Sequence, residues 1–322
     1  MLNAWSQLIE RKHLSMRTFR KAAIAGLAVA TLALSACAGG ATKAEEEKQE
    51  VRDKVGEYSM EQAEKLPEGL ISDIKEQGKL IVGSKADQPL IGEKVGDEWQ
   101  GHDTEIAKLL AMRIFGPEGP EKNLQFIETT SENRETYIDS GKVHVVIASY
   151  SMYEDRLETN DFAGPYFFTG QNAMVAADNK DIKTIDDLAG KKVCIAKGSG
   201  SIENLKEKNP EAKIETLDDY AACATQVKSG TFDAVSTDES ILYGFKSADN
   251  EAFRVLDSSE NFTDEPYGIG MKMGSDEAVK FFNETIELSY ENGDWEKAFK
   301  LTYGAAGMEM PEKPEIGKIT SD

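Results

Sequence analysis

Gly78-Lys79-Leu80-Ile81-Val82-Gly83 decides how this chain is read: three apolar residues, two of them β-branched, stand between glycines and open an alternating pattern. A short apolar run bounded by glycine predicts a buried strand. Downstream the pattern predicts a helix over 103–113 with Ile106, Leu109 and Leu110 on one face, then a strand at 124–127 and a helix at 133–140. A strand at 143–148 and a helix at 151–157 follow. Strands alternating with helices imply βαβ units and a mostly parallel sheet, an α/β fold.

The rhythm breaks at Gly164-Pro165-Tyr166-Phe167-Phe168-Thr169-Gly170, and 171–177 is extended. A second set then begins, with predicted strands at 192–196, 214–217 and 234–237 and helices at 201–208, 220–229 and 240–246. Glu265-Pro266-Tyr267-Gly268-Ile269-Gly270-Met271 is another extended stretch, followed by amphipathic helices at 277–291 and 295–303. If those helices return to the first set, the chain forms two lobes, 79–170 plus 271–310 and 171–270. Two extended crossings between them make a hinge, and 311–322 reads as a polar tail.

Upstream, Arg17, Arg20 and Lys21 precede an apolar run at 22–34 that ends in Leu34-Ser35-Ala36-Cys37. Basic, apolar and small residues in that order make a secretory signal, 1–36. The apolar run is well short of the roughly 20 residues that span a bilayer. Leu-Ser-Ala-Cys resembles the lipobox of bacterial lipoproteins, which implies that Cys37 is lipidated and that the rest of the chain works outside the cytoplasm, tethered to the membrane. Residues 1–15 are polar and fit no targeting pattern, so Met16 stands beside Met1 as a candidate start. Residues 37–78 read as a polar tether passing into a helical lead-in at 66–77.

The 322 residues carry a formal charge of −21, and the signal segment holds five bases against one acid, so the remainder is more acidic still. Such a charge opposes nucleic acid and anionic membrane surfaces. Beyond Cys37 the cysteines are Cys194 and Cys223. An extracytoplasmic compartment permits them to pair; two buried free thiols are the alternative, and a metal site lacks a third cysteine or nearby histidine. The disulfide is the favoured reading, and no cofactor is expected.

From 79 to about 303 the chain resembles the amino-acid-binding proteins of ABC importers, extracellular solute-binding protein family 3. The matching phrases are Gly78 to Gly83, Ser140-Gly141-Lys142-Val143, 149–156, Phe162-Ala163-Gly164-Pro165-Tyr166, Ser229-Gly230-Thr231-Phe232-Asp233-Ala234 with Asp238, Glu265-Pro266-Tyr267-Gly268-Ile269, and Asn292-Gly293-Asp294-Trp295. The resemblance implies a two-lobe periplasmic-binding-protein fold that closes over one amino acid, with ABC permease subunits as partner and a monomeric chain. The glutamate- and aspartate-binding members are most similar.

A free amino acid presents a carboxylate and an ammonium, and holding both in a partly dry cleft needs charge-assisted hydrogen bonds of each sign. Ser151-Met152-Tyr153-Glu154 has the capping-box pattern of a helix start, whose free N–H groups suit an anion. Arg156 lies a turn further on. The resemblance assigns the ligand α-carboxylate to Arg156 with Ser149 and Ser151 in support; an ordinary capped surface helix is the plain alternative. Asp238 ends a predicted strand, where open α/β sheets place ligand groups. It matches the family aspartate that takes the ammonium, and it can also serve as a helix N-cap.

Gly198-Ser199-Gly200-Ser201 joins strand to helix and offers backbone N–H groups and the hydroxyls of Ser199 and Ser201. Family members usually carry Gly-Thr-Thr or Gly-Ser-Thr there, so Gly200 departs from the pattern. Ser131-Glu132-Asn133-Arg134 resembles the phrase whose arginine takes the side-chain carboxylate of acidic amino acids, and Lys85 matches another basic position. A solvated helix start is the alternative for Arg134. His102 and His144 depart from the pattern and receive no role. Tyr220 is a weak candidate for a polar contact.

A non-catalytic receptor is the first reading. An enzyme on the same scaffold is the second, weakened by the absence of a visible nucleophile and base pair. A sensory amino-acid receptor is the third, and glutamine or another polar amino acid the alternative ligand.

Overall fold

The computed structural model describes residues 55–319; the expected signal segment, Cys37 and the part of the expected tether before 55 lie outside the described residues. Helix α1 (Leu70–Gln77) leads into β1 (Leu80–Ser84). A short meander follows, β2 (Asp87–Gln88), β3 (Gly92–Val95) and β4 (Glu98–Gln100). The first α/β set continues with α2 (His102–Phe115), α3 (Gly119–Lys122), β5 (Leu124–Glu128), α4 (Arg134–Asp139), β6 (Val145–Val146), α5 (Glu154–Leu157) and β7 (Asn160–Thr169). The second holds β8 (Gln171–Ala176), β9 (Lys192–Ala196), α6 (Ser201–Lys208), β10 (Lys213–Leu217), α7 (Tyr220–Lys228), β11 (Ala234–Asp238), α8 (Glu239–Ala248) and β12 (Phe253–Val255). Strand β13 (Glu265–Lys272) and helices α9 (Asp276–Glu291) and α10 (Asp294–Leu301) follow.

Two five-stranded sheets result, in the orders β5-β1-β6-β13-β7 and β10-β9-β11-β8-β12. In each, only the fourth strand of the order, β13 or β8, runs against the others. Each lobe is therefore a mostly parallel α/β sheet. Strand β7 continues through Gly170 into β8, and β13 pairs antiparallel with β7 from Glu265↔Thr169 to Lys272↔Asn160. The passage between the sheets is thus a ribbon of paired strands. Paired backbone resists stretching and tolerates bending, which suits a hinge.

Burial explains the elements. Ile106, Leu109 and Leu110 of α2 face the apolar positions of β1, Leu80 and Val82, and all five are buried. Helix α10 brings Trp295 under the ribbon, where its indole N–H donates to the Tyr166 carbonyl at 2.8 Å. In the second lobe Cys194 of β9 and Cys223 of α7 form a disulfide across a sequence separation of 29. In the chain-entropy model a loop of that length is stabilised by about 3–4 kcal/mol.

Local details differ from the sequence-based expectation. The strand predicted at 143–148 is a two-residue strand, because the His144 ring takes a ladder position: its Nδ1 accepts from the Ile81 N–H at 3.0 Å. The predicted capping box at Ser151 does not form. Ser151 pairs with Tyr267 in a β-bridge and the Met152 N–H donates to the Pro266 carbonyl at 2.8 Å, so extended pairing wins and α5 starts only at Glu154. Part of the supposed tether is docked, with Met60 and Ala63 buried and the Ser59 N–H donating to Asp294 at 2.9 Å. The polar tail also docks, through the Gly317 N–H on the Gly164 carbonyl at 2.8 Å.

Candidate functional site

The C-terminal ends of parallel strands from both sheets converge on one narrow cleft, the place where open α/β sheets offer loops and helix starts to a ligand. Its first wall comprises Ser131, Arg134, Ser149, Ser151, Tyr153 and Arg156; its second comprises Ser199, Gly200, Ser201, Tyr220, Thr237, Asp238 and Ile241. Eight residues singled out in the sequence therefore share it: Arg134, Arg156, Ser149, Ser151, Ser199, Ser201, Asp238 and the weaker candidate Tyr220. Lys85 stands behind the first wall and reaches it through its Nζ, which donates to Ser131 Oγ at 2.8 Å.

The first wall is cationic. Arg134 is 3 % exposed and Arg156 8 %. One nitrogen of Arg134 donates to the carbonyls of Ala148 and Ser149 at 3.3 and 3.2 Å, while its buried Nε has no partner among the described residues. Arg156 donates to the Ser151 carbonyl at 2.8 Å. Both guanidinium groups lie over the Tyr150 ring, at 4.2 and 4.9 Å from its centroid, where the π face offsets some of their desolvation. Burial and the neighbouring Arg156 charge pull Arg134 down to about 10. Burial and the Arg134 charge pull Lys85 down to about 7. Among the described residues none of these three cations forms an ion pair with a carboxylate within 4.0 Å. Buried cations without anions are costly unless the anion arrives from outside.

Ser149 holds the first wall in an unusual backbone state, φ 44°, a left-handed conformation that costs a non-glycine residue. Two hydrogen bonds hold it there: its N–H donates to Asp103 Oδ2 at 2.7 Å and its hydroxyl to Gln88 Oε1 at 3.0 Å. Asp103 also accepts from the Tyr166 hydroxyl at 2.7 Å; burial raises its carboxyl to about 6.

The opposite wall carries the negative charge. Asp238 is the last residue of β11, and although it precedes α8 its side chain makes no capping bond. The carboxylate instead accepts from the Tyr267 hydroxyl at 2.6 Å. Burial, then the charge of Glu265, pushes its pKa well above the usual carboxylate range. Beside it, the Tyr220 hydroxyl donates to Ser199 Oγ at 2.9 Å, and Ser199 Oγ to Ser201 Oγ at 3.1 Å. Glu265 lies at the ribbon end, accepting from Ser151 Oγ, from the Tyr153 hydroxyl at 2.6 Å, from Thr263 Oγ1 at 2.8 Å and from Asn204 Nδ2 at 3.1 Å.

The walls also touch directly. Glu132 pairs with Lys197 at 2.6 Å, each side chain about half exposed, a contact worth at most about 1 kcal/mol. Asp87 of β2 accepts from the N–H groups of Tyr220 and Ala221 at 3.0 and 3.3 Å, so one lobe caps the first turn of a helix in the other.

Sequence reasoning passed over Glu265, Asp103, Asp87 and Tyr153 as site-building residues. Glu265 and Asp103 were visible only as parts of hinge and helix patterns; their roles depend on partners 114 and 46 residues away. His102 lies outside the cleft, its ring 5.3 Å from that of Phe167, and burial holds it at about 3, so it is neutral.

The cleft thus sets Arg134 and Arg156 on one wall opposite Asp238 on the other. Residues 80–304 match the model of the bacterial extracellular solute-binding proteins, family 3. The chain is 36 % identical over 233 residues to the ABC transporter glutamine-binding protein GlnH of Bacillus subtilis, covering 71 % of this chain and 83 % of that protein. It is 32 % identical over 243 residues to the glutamate-binding protein GluB of Corynebacterium glutamicum, covering 74 % and 82 %. A solved structure of the solute receptor for L-cysteine of Neisseria gonorrhoeae superposes with a TM-score of 0.68 at 26 % identity, covering 74 % of this chain and 95 % of that one.

Proposed function

We propose that this chain, which belongs to the bacterial extracellular solute-binding proteins of family 3, captures glutamate between its lobes outside the cytoplasm and presents the closed complex to an ABC permease. The observation that supports this reading is the charge inventory of the cleft: among the described residues Arg134, Arg156 and Lys85 form no ion pair with a carboxylate on one side, and Asp238 stands on the other. Arg156 takes the α-carboxylate, Asp238 the ammonium, and Arg134 with Lys85 behind it the side-chain carboxylate. Ser149, Ser151, Ser199 and Ser201 supply hydroxyl contacts around the two ends. Ligand contacts made only when both lobes meet favour the closed state.

Glutamine is the second reading, favoured by the 36 % identity to the Bacillus protein named for it. Arg134 separates the two. In the full-length protein, Arg134→Met is expected to weaken glutamate binding by about 30-fold or more, the cost of unpairing a buried carboxylate, and glutamine binding by less than about threefold. Calorimetric titration of both ligands reads the difference; equal losses would remove Arg134 from side-chain recognition. Above about pH 7 Lys85 loses its proton, so the wild-type preference for glutamate should also narrow as pH rises.

The reading is non-catalytic, supported by relatives that are named for binding glutamine and glutamate. The ligand should be recovered chemically unchanged. Cys37 is the lipid attachment point in this proposal. Cys37→Ser is expected to move the protein from the membrane fraction to the soluble fraction, and retention on membranes would refute the anchor.

A further inference from the structure

Tyr153 has no part in the ligand contacts proposed above, yet it touches both lobes and the ribbon between them. It stands at the N-cap of α5, where its side chain makes no capping bond. Its ring lies under the Arg156 guanidinium, 4.4 Å from Cζ to the centroid. Its hydroxyl donates to Glu265 of the hinge ribbon at 2.6 Å and accepts from Asn204 Nδ2, on α6 of the second lobe, at 3.1 Å. Burial and the Glu265 charge push the phenol pKa far up, so it remains a neutral donor.

The ring edge abuts Gly200 across the cleft. A Cβ at Gly200 would overlap Tyr153 Cε2 and come within 3.0 Å of Cζ. Yet Gly200 has φ −62° and ψ −21°, a conformation open to any residue. Backbone geometry therefore does not require glycine at 200; the space taken by Tyr153 does. A large residue on one lobe and an absent side chain on the other form a complementary pair.

We infer that Tyr153 is a positioning residue which, seated against Gly200 and tied to Glu265 and Asn204, holds the Arg156 guanidinium in its carboxylate-binding place as the lobes close. The inference rests on the proposed binding function. A ring anchored at three points fixes the guanidinium stacked on it, which spares ordering cost when the ligand arrives.

A double-mutant cycle in the full-length protein tests this by glutamate titration, with ligand-induced compaction followed by small-angle scattering. Gly200→Ala adds only a methyl at a helical backbone position, so in the Tyr153→Ser background, where the space is free, the unliganded melting temperature should not fall. With Tyr153 present it should weaken binding about tenfold and reduce the compaction. In the Tyr153→Ser background the same substitution should cost less than about twofold, the non-additivity of residues in contact. Tyr153→Phe, which keeps the ring, should keep the sensitivity to Gly200→Ala. A wild type that binds glutamate while the Gly200→Ala loss is equal in all three backgrounds refutes the positioning role and leaves the binding function standing. A wild type that binds neither glutamate nor glutamine refutes both.

Discussion

Arg156→Ala is expected to weaken amino-acid binding by about 100-fold or more, because truncating one member of a buried, hydrogen-bonded charge pair costs about 2–5 kcal/mol. The loss should extend to every α-amino acid the protein accepts, since Arg156 is assigned the α-carboxylate common to all. The fold should survive. Among the described residues the side chain donates one hydrogen bond, to the Ser151 carbonyl, and it stacks on Tyr153 and on Tyr150, a member of the smaller of two buried apolar clusters, outside the main core. Calorimetric titration beside a melting curve of the unliganded variant separates the effects, and retained affinity would take Arg156 out of the site.

Asp238→Asn is expected to change binding and stability in opposite directions. Binding should fall by about 100-fold, because the ammonium loses the one charged side chain that lines the second wall among the described residues. The unliganded protein, in contrast, should melt higher at pH 8. Burial and Glu265 raise the folded-state pKa of Asp238, so the folded protein holds this proton more tightly than the unfolded chain does. Stability from such a group is complete below the unfolded value of about 3.9 and is lost as pH rises through the folded value. The asparagine variant avoids that loss, and its advantage should vanish near pH 4. A variant that melts lower than wild type at pH 8 would contradict the view of Asp238 as a carboxylate poised at a cost for an incoming amine.

Much of this architecture is legible in the residues. The alternation that begins at Leu80, the glycine-punctuated crossings and the helices near Phe282 and Trp295 follow from periodicity and turn chemistry, and they suffice for a two-lobe α/β chain. Asp238 is legible because the end of a parallel strand is where this fold places ligand groups. The misses have a common physical origin, which is competition from distant partners. Ser151 has the local signature of a helix cap, but pairing with Tyr267 and the carboxylate of Glu265 claims it. The meander of β2 to β4 has strands of two to four residues, too short to show a period. Gly200, a departure from the family pattern when read alone, acquires a reason once Tyr153 stands against it. No single segment contains both halves of that pair.

The assignment of Arg156 to the acid end and Asp238 to the amine end of one bound amino acid is tested most directly by a crystal structure of the protein grown with glutamate. The expected map shows the ligand between the sheets, its α-carboxylate within about 3 Å of Arg156 and its ammonium at the same distance from Asp238. A ligand seated elsewhere, or held between the lobes with both side chains turned from it, would contradict the assignment.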